Sequence, residues 1–162
     1  MPEYRKPLTR QGYNRIAEEH RQLLEDVRPG VVEGIAVAAA EGDRSENAEY
    51  IYGKKRLREI DKKLRYLTGL LKDVEVVDIE NIRSDRVCFG ATIEIEDENQ
   101  VRRTWTLVGE GEADADQGTI SWKSPLARAL LQRRPGDVVL VRRPGGEMEF
   151  ELLSIRFQKP PA

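Results

Sequence analysis

An α+β chain is predicted: an N-terminal antiparallel α-helical coiled-coil hairpin, followed by an antiparallel sheet domain with one short helix. Three observations predict it. Tyr13, Ile16, His20, Leu23 and Val27 recur at alternating spacings of three and four, and Leu57, Ile60, Leu64, Leu67, Leu71 and Val74 do so again without a miss. That spacing is the seam of a coiled coil. After Lys72 the apolar period changes from helical to alternating. Charged side chains make up 35% of the chain and aromatic ones only 6%, a balance of long solvated helices rather than of a thick core.

The first helix starts at Thr9, a natural N-cap. Pro29 and Gly30 interrupt its seam, because proline lacks the amide donor and its ring crowds the preceding turn. The pattern resumes through Val31, Ile35 and Ala38. Extrapolated backwards by sevens, the second seam reaches Tyr50. Only the short segment from Glu41 to Ser45, carrying Gly42, separates the two periodic stretches, so the economical solution is an antiparallel pair. A helix from residue 46 to residue 74 would rise ~42 Å. The hairpin is assigned to residues 1–77 with its tip at 41–46, and the sheet domain to residues 78–162.

In that second half, strands are expected at Glu75 to Ile79, Val87 to Glu96, Val101 to Val108, Thr119 to Trp122, Val138 to Arg142 and Met148 to Phe157. The segments 97–99, 109–118 and 144–146 between them carry turn residues. The short helix, Pro125 to Gln132, opens on Ser124 as N-cap with proline at the first helical position. Trp105 and Trp122 are expected in the core, Cys88 in a buried strand, and Arg142 and Arg143 at a solvated strand end.

Several function classes are excluded. Cys88 is the sole cysteine, which rules out a disulfide framework and any cysteine cluster for zinc or iron and sulfur. His20 is the sole histidine, so no multi-histidine metal site exists. No phosphate-cradling loop of the Walker type occurs. The longest aliphatic run, Ile35 to Ala40, is far short of the ~20 residues that span a bilayer. No basic-then-apolar leader is visible, and a cytoplasmic protein is expected. The net charge of −2 gives no global attraction to nucleic acid, so any electrostatic function must come from local segregation.

Segregation is present at two places. The hairpin turn gathers Glu41, Asp43, Glu46 and Glu49 within nine residues. Spacing alone favours a structural explanation, since Asp43 with Glu46 three residues later resembles a capping box. A cap needs only one or two of these groups, however, and surplus carboxylates at a protruding turn suggest a ligand. Magnesium suits them, because it takes hard oxygen donors and is often held by one or two carboxylates plus a substrate phosphate. Two carboxylates cannot complete its shell, so the cluster is half of a site whose other half belongs to a second macromolecule.

The second place is the helix behind the tip. From Lys54 to Lys72, eight basic residues face only Glu59 and Asp61. Lys55, Arg58, Lys62 and Arg65 stack on the face opposite the apolar seam, and like charges so placed repel by roughly 0.2–0.5 kcal/mol per pair. A solvated face usually mixes signs better. Such a ridge attracts RNA or DNA phosphates without reading sequence.

The run from Gly42 through Asp43, Arg44, Ser45, Glu46, Asn47, Ala48 and Glu49 to Tyr50, continued by Lys54 to Asp61, closely resembles the Gre transcript cleavage factors, most of all their GreB branch. Ile120 to Leu131, and Pro144 to Glu147, look like that family's C-terminal signatures. The resemblance implies that the hairpin enters the secondary channel of RNA polymerase while an FKBP-like C-terminal domain grips the rim. Asp43 and Glu46 match the family's acidic tip residues, which help to hold the second magnesium ion jointly with polymerase; Ser45 between them assists. Lys54 and Lys55 match residues facing the extruded 3′ end of nascent RNA, and Arg58 extends that ridge. Ser124, Pro125 and Leu126 are the expected polymerase-binding residues, although Lys123 stands where GreB-like sequences can carry an acid. The implied role is an activator of transcript cleavage, monomeric when free and nucleoid-associated through polymerase, with no complete active site of its own. Two other roles are carried beside it: a channel-binding inhibitor without cleavage stimulation, and a peptidyl-prolyl isomerase-like module.

Overall fold

The computed structural model describes residues 3–42 and 47–158 of the 162-residue chain. Contacts divide it into two compact units, residues 14–72 and residues 1–13 with 73–162. This division differs from a cut after residue 77. The N-terminal residues belong with the sheet because β1, Pro7–Thr9, pairs in parallel with β2, Glu75–Val77, Leu8 standing opposite Val76.

In the helical unit both seams face inward. Helix α1 spans Arg10–Arg21, α2 Arg28–Ala40 and α3 Ala48–Leu71. Ile16, Ala38, Ile60, Leu64 and Leu67 are buried, and Leu23, Val27, Val31, Ile35, Leu57 and Leu71 are half-buried. Each such leucine or isoleucine removed from water contributes about 1.5–3 kcal/mol when burial is complete. Gly53 falls on the seam, where a Cβ would lie 2.8 Å from Ile35 Cγ1. The missing side chain leaves room for isoleucine opposite.

Between α1 and α2 the chain widens into a π-helical stretch, Gln22–Val27, and Pro29 sits in the first turn of α2. The Arg28 amide donates to the Leu23 carbonyl, five residues back. The backbone stays helical through Val27 and Arg28, and the widened turn shifts the hydrogen-bond ladder just ahead of Pro29, so the helix continues past the proline. Arg28 Nε also donates to Asp61 Oδ1 across the pair at 2.8 Å, and that bond holds the Asp61 carboxyl below its ordinary value. His20 Nε2 lies 3.1 Å from Thr68 Oγ1, the ordinary seam contact expected of it.

The other unit is built on a five-stranded sheet, β3 Thr92–Asp97, β4 Arg102–Val108, β5 Thr119–Ser121, β6 Val138–Arg143 and β7 Gly146–Arg156, ordered β5-β4-β3-β7-β6. Its pairs are antiparallel except β4 with β5, so the sheet is mixed rather than wholly antiparallel. The link 109–118 carries the chain back to the level of Thr106, so that β5 runs beside the last three residues of β4, through a 3-10 turn at Ala115–Gln117 that Asp114 caps and Gly118 closes at φ 76°. Alternation then fills one face: Ile93, Ile95, Leu107, Val139, Val141, Phe150 and Leu152 join Ala127 and Leu130 of helix α4, Pro125–Leu130, in a single core. Trp105 and Trp122 flank this core half-buried instead of filling it. Cys88 is buried as expected, but in a loop. Gly90 breaks the expected strand there: it takes φ 88°, and a Cβ would lie 2.9 Å from Ile79 Cγ1.

Thr9 caps α1 as its position predicts, its Oγ1 accepting from the Gly12 amide at 2.9 Å. It also donates to Glu112, a carboxylate buried in the same unit.

Candidate functional site

Asp43, Ser45 and Glu46, with the rest of 43–46, lie outside the described residues, and the site is built from what flanks them. Helix α2 ends at Ala40, and the Glu41 amide donates to the Ala38 carbonyl at 3.3 Å. Helix α3 begins at Ala48 with Asn47 as its N-cap. The Asn47 Oδ1 accepts from the Tyr50 amide at 3.1 Å, and its Nδ2 donates to the Ala38 carbonyl at 2.6 Å. One side chain thus closes the start of α3 and ties it to the end of α2. Glu49 lies in the first turn, where a negative charge complements the helix dipole. The capping position of α3 is occupied by Asn47, not by Asp43, the residue that the spacing with Glu46 suggests. Asn47 was missed in the sequence, although an asparagine directly before a helical run is itself an N-cap signal.

Behind this turn, α3 turns its basic residues to solvent: Lys54, Lys55, Arg58, Lys62 and Arg65 are all exposed. Asp61 is engaged by Arg28, and Lys63 approaches Glu19 at 3.6 Å. Among the described residues no ion pair engages Lys54, Lys55 or Arg58; the Lys54 ammonium sits 5.8 Å from the centre of the Tyr50 ring. Arg58 lies roughly 16 Å along the helix from Asn47, so the uncompensated charge begins close behind the tip.

The expected docking residues lie in the other unit. Ser124 Oγ accepts from the Ala127 amide at 3.2 Å, so its hydroxyl is the cap of α4. Pro125 is exposed at the first helical position, and Leu126 packs half-buried against the core. Lys123 pairs with Glu110 at 3.7 Å and lies 5.8 Å from the Trp122 ring centre. Trp122 packs edge-on against Phe89, and Phe89 against Tyr4, which backs this loop with aromatic rings. Arg142 meets Glu147 at 3.1 Å on an exposed strand end, the solvated role expected of it.

Among the described residues no group of three or more histidine, cysteine, aspartate or glutamate side chains is placed to hold a metal ion. Among them, too, no helix is long and apolar enough to cross a membrane.

Two family models match the chain, one described as "Transcription elongation factor, N-terminal" over residues 6–76 and one as "Transcription elongation factor, GreA/GreB, C-term" over residues 82–157. The transcription elongation factor GreB of Yersinia pestis is 43% identical over 151 residues, covering 93% of this chain and 88% of that protein. The transcription elongation factor GreA of Anaeromyxobacter sp. (strain K) is 45% identical over 154 residues, covering 94% and 93%. Among solved structures, GreA factor homolog 1 (Gfh1) of Thermus thermophilus matches with 23% identity and a TM-score of 0.44, covering 93% of this chain and 98% of that one. The matched segments run end to end through the hairpin and the sheet, which makes the protein a two-part transcription elongation factor. The chain belongs to the GreA/GreB family. Relatives named GreA and GreB match it to a similar degree, so the likeness is not confined to the GreB branch.

Proposed function

We propose that this chain binds RNA polymerase through the secondary channel and stimulates the polymerase's own endonucleolytic cleavage of the nascent RNA 3′ end in backtracked, arrested complexes. The observation that carries the reading is the cap: Asn47 closes α3, so the start of that helix does not call on the acids that precede it in the sequence. Membership of a transcription elongation factor family supports RNA polymerase as the partner. The donor set fits magnesium in chemistry, since both groups are hard oxygen donors and two of them leave most of a six-fold shell to polymerase and RNA. When bound there, the ion activates a water and stabilises charge in two-metal hydrolysis.

The residues of this chain do the rest. Asp43 and Glu46 bring negative charge to a place where polymerase holds its second ion weakly, and Ser45 adds a hydroxyl between them. Lys54, Lys55 and Arg58 hold the extruded RNA by its phosphates, on the face where among the described residues no acid pairs with them. Ser124, Pro125 and Leu126 present the start of α4 to the channel rim. The chain is an activator, with the catalytic framework belonging to its partner; it works as a monomer, in the cytoplasm and on the nucleoid.

Cleavage of RNA in artificially backtracked polymerase complexes tests this. With Asp43→Asn and Glu46→Gln together, stimulated cleavage should fall to near background while affinity for polymerase stays within a few fold. Raised magnesium, or manganese, should restore part of it, as mass action requires of a weakened site. Replacing Lys54, Lys55 and Arg58 by glutamine should reduce cleavage most in deeply backtracked complexes. Normal cleavage by the acid double variant defeats the metal reading. A parent protein that binds polymerase and blocks the channel without stimulating cleavage would be an inhibitor instead.

A further inference from the structure

Tyr52 stands on α3 close behind the turn, and it is 67% exposed, more than any other large apolar or aromatic side chain among the described residues. Packing gives no reason for the ring to be there. Ile60, Leu64 and Leu67 bury the seam of the helix, and Tyr52 is not part of it. The two other tyrosines of α3 lie under cations: the Lys54 ammonium is 5.8 Å from the Tyr50 ring centre, and that of Lys63 is 5.4 Å from the Tyr66 ring centre. Among the described residues no hydrogen bond, ring or cation engages the Tyr52 side chain.

What flanks the ring is positive charge. On a helix, residues three and four positions apart are lateral neighbours. One turn beyond Tyr52 these are Lys55 and Arg56, both exposed and, among the described residues, without an ion-pair partner. Lys55 opens the ridge that continues through Arg58, Lys62 and Arg65. Tyr52 therefore stands at the tip end of that ridge, ~7.5 Å along the helix from the Asn47 cap and ~4.5 Å before Lys55. A protein partner would pack such a ring into an interface core, and interface cores are depleted of lysine and of charge generally. Single-stranded nucleic acid offers what this surface lacks: phosphates for the cations and a flat base for the ring. We propose that Tyr52 is a base-stacking residue, its ring taking one nucleobase of the extruded RNA while Lys55 and Arg56 hold the adjoining phosphates. The inference deepens the proposed function and rests on it, since that reading brings single-stranded RNA to α3. A ring senses the area of a base rather than its edge, so a purine is held better than a pyrimidine at the stacked position.

Tyr52→Phe keeps the ring and Tyr52→Ala removes it, and helical circular dichroism checks that both fold as the parent does. Each full-length protein is titrated into polymerase complexes backtracked by a few nucleotides, in which every extruded nucleotide in turn is a purine, a pyrimidine or an abasic ribose. Affinity and cleavage are read separately. Tyr52→Ala should bind these complexes about five- to a hundredfold more weakly, the range that one stacked base supplies, and should bind polymerase without extruded RNA as tightly as the parent. At one position an abasic ribose should weaken the parent by the same factor and Tyr52→Ala no further, and the purine preference there should vanish in the alanine variant. Tyr52→Phe should match the parent. The proposal is overturned if abasic nucleotides affect the parent and Tyr52→Ala alike. It is overturned too if Tyr52→Phe is as weak as alanine, which makes the hydroxyl the contact, or if Tyr52→Ala loses as much affinity without extruded RNA, which makes Tyr52 a protein contact. A parent that binds these complexes yet stimulates no cleavage would defeat the proposed function alone, because the affinities would still decide for or against stacking on Tyr52.

Discussion

At the scale of single residues, Asn47 does the capping that the spacing of Asp43 and Glu46 advertises. Its Oδ1 caps α3 and its Nδ2 holds the Ala38 carbonyl. Asn47→Ala should therefore cost the hairpin about 1 kcal/mol or somewhat more, the loss of a cap plus a cross-connection. Asn47→Asp should recover the cap but not the bond to Ala38. Thermal melts of the helical signal measure both, and equal melting for alanine and asparagine would remove Asn47 from the account. The acids at the turn were legible because they are dense, and the basic ridge because it is uncompensated. Asn47 was hidden by a neighbouring pattern that mimics a capping box. Glu112 was hidden for another reason: its partner Thr9 is 103 positions away, and no local spacing reports such a pair.

Among the elements, the long helices could be read almost residue by residue, because a heptad seam repeats its message several times. Leu64, at the centre of the α3 seam, is buried between buried Ile60 and Leu67. Leu64→Asp should destabilise the helical unit by roughly 3 kcal/mol, from the lost packing and a carboxylate without partners. The helical circular dichroism should fall while the fluorescence of Trp105 and Trp122, both in the sheet unit, stays put. A concurrent change in both signals would show that the units melt together. The short strands were harder. β2 was foreseen at Glu75 to Ile79, but β1 has only three residues, too few to show a period, and fell within the residues assigned to the hairpin. The parallel setting of β5 follows from the path of the 109–118 link, which composition does not reveal. The π-helical stretch before Pro29 was foreseen as an interruption, though not in its form.

Taken as a whole molecule, the chain leaves the sheet unit after Tyr13 and returns to it at Asp73, so the hairpin is an insertion between β1 and β2. A fragment of residues 78–162 therefore lacks both strands of the parallel pair and the Thr9 donors to Glu112. It should melt well below a version in which residues 1–13 are joined by a short flexible linker to residues 73–162. The joined version should compete with the full chain for polymerase. Equal melting of the two would show that β1 adds nothing to the unit. Parallel pairing of β1 with β2 also makes the inserted hairpin a crossover, leaving the two-stranded ribbon at its Thr9 end and returning at its Glu75 end, where Pro7 is the partner. Seven residues added to α2 and seven to α3 would keep both seams in phase and lengthen the hairpin by about 10 Å, with the ribbon's register and the Thr9–Glu112 bonds left alone. The hairpin is thus a ruler graduated in heptads, and its reach can change during evolution by whole divisions without any compensating change in the part that holds it.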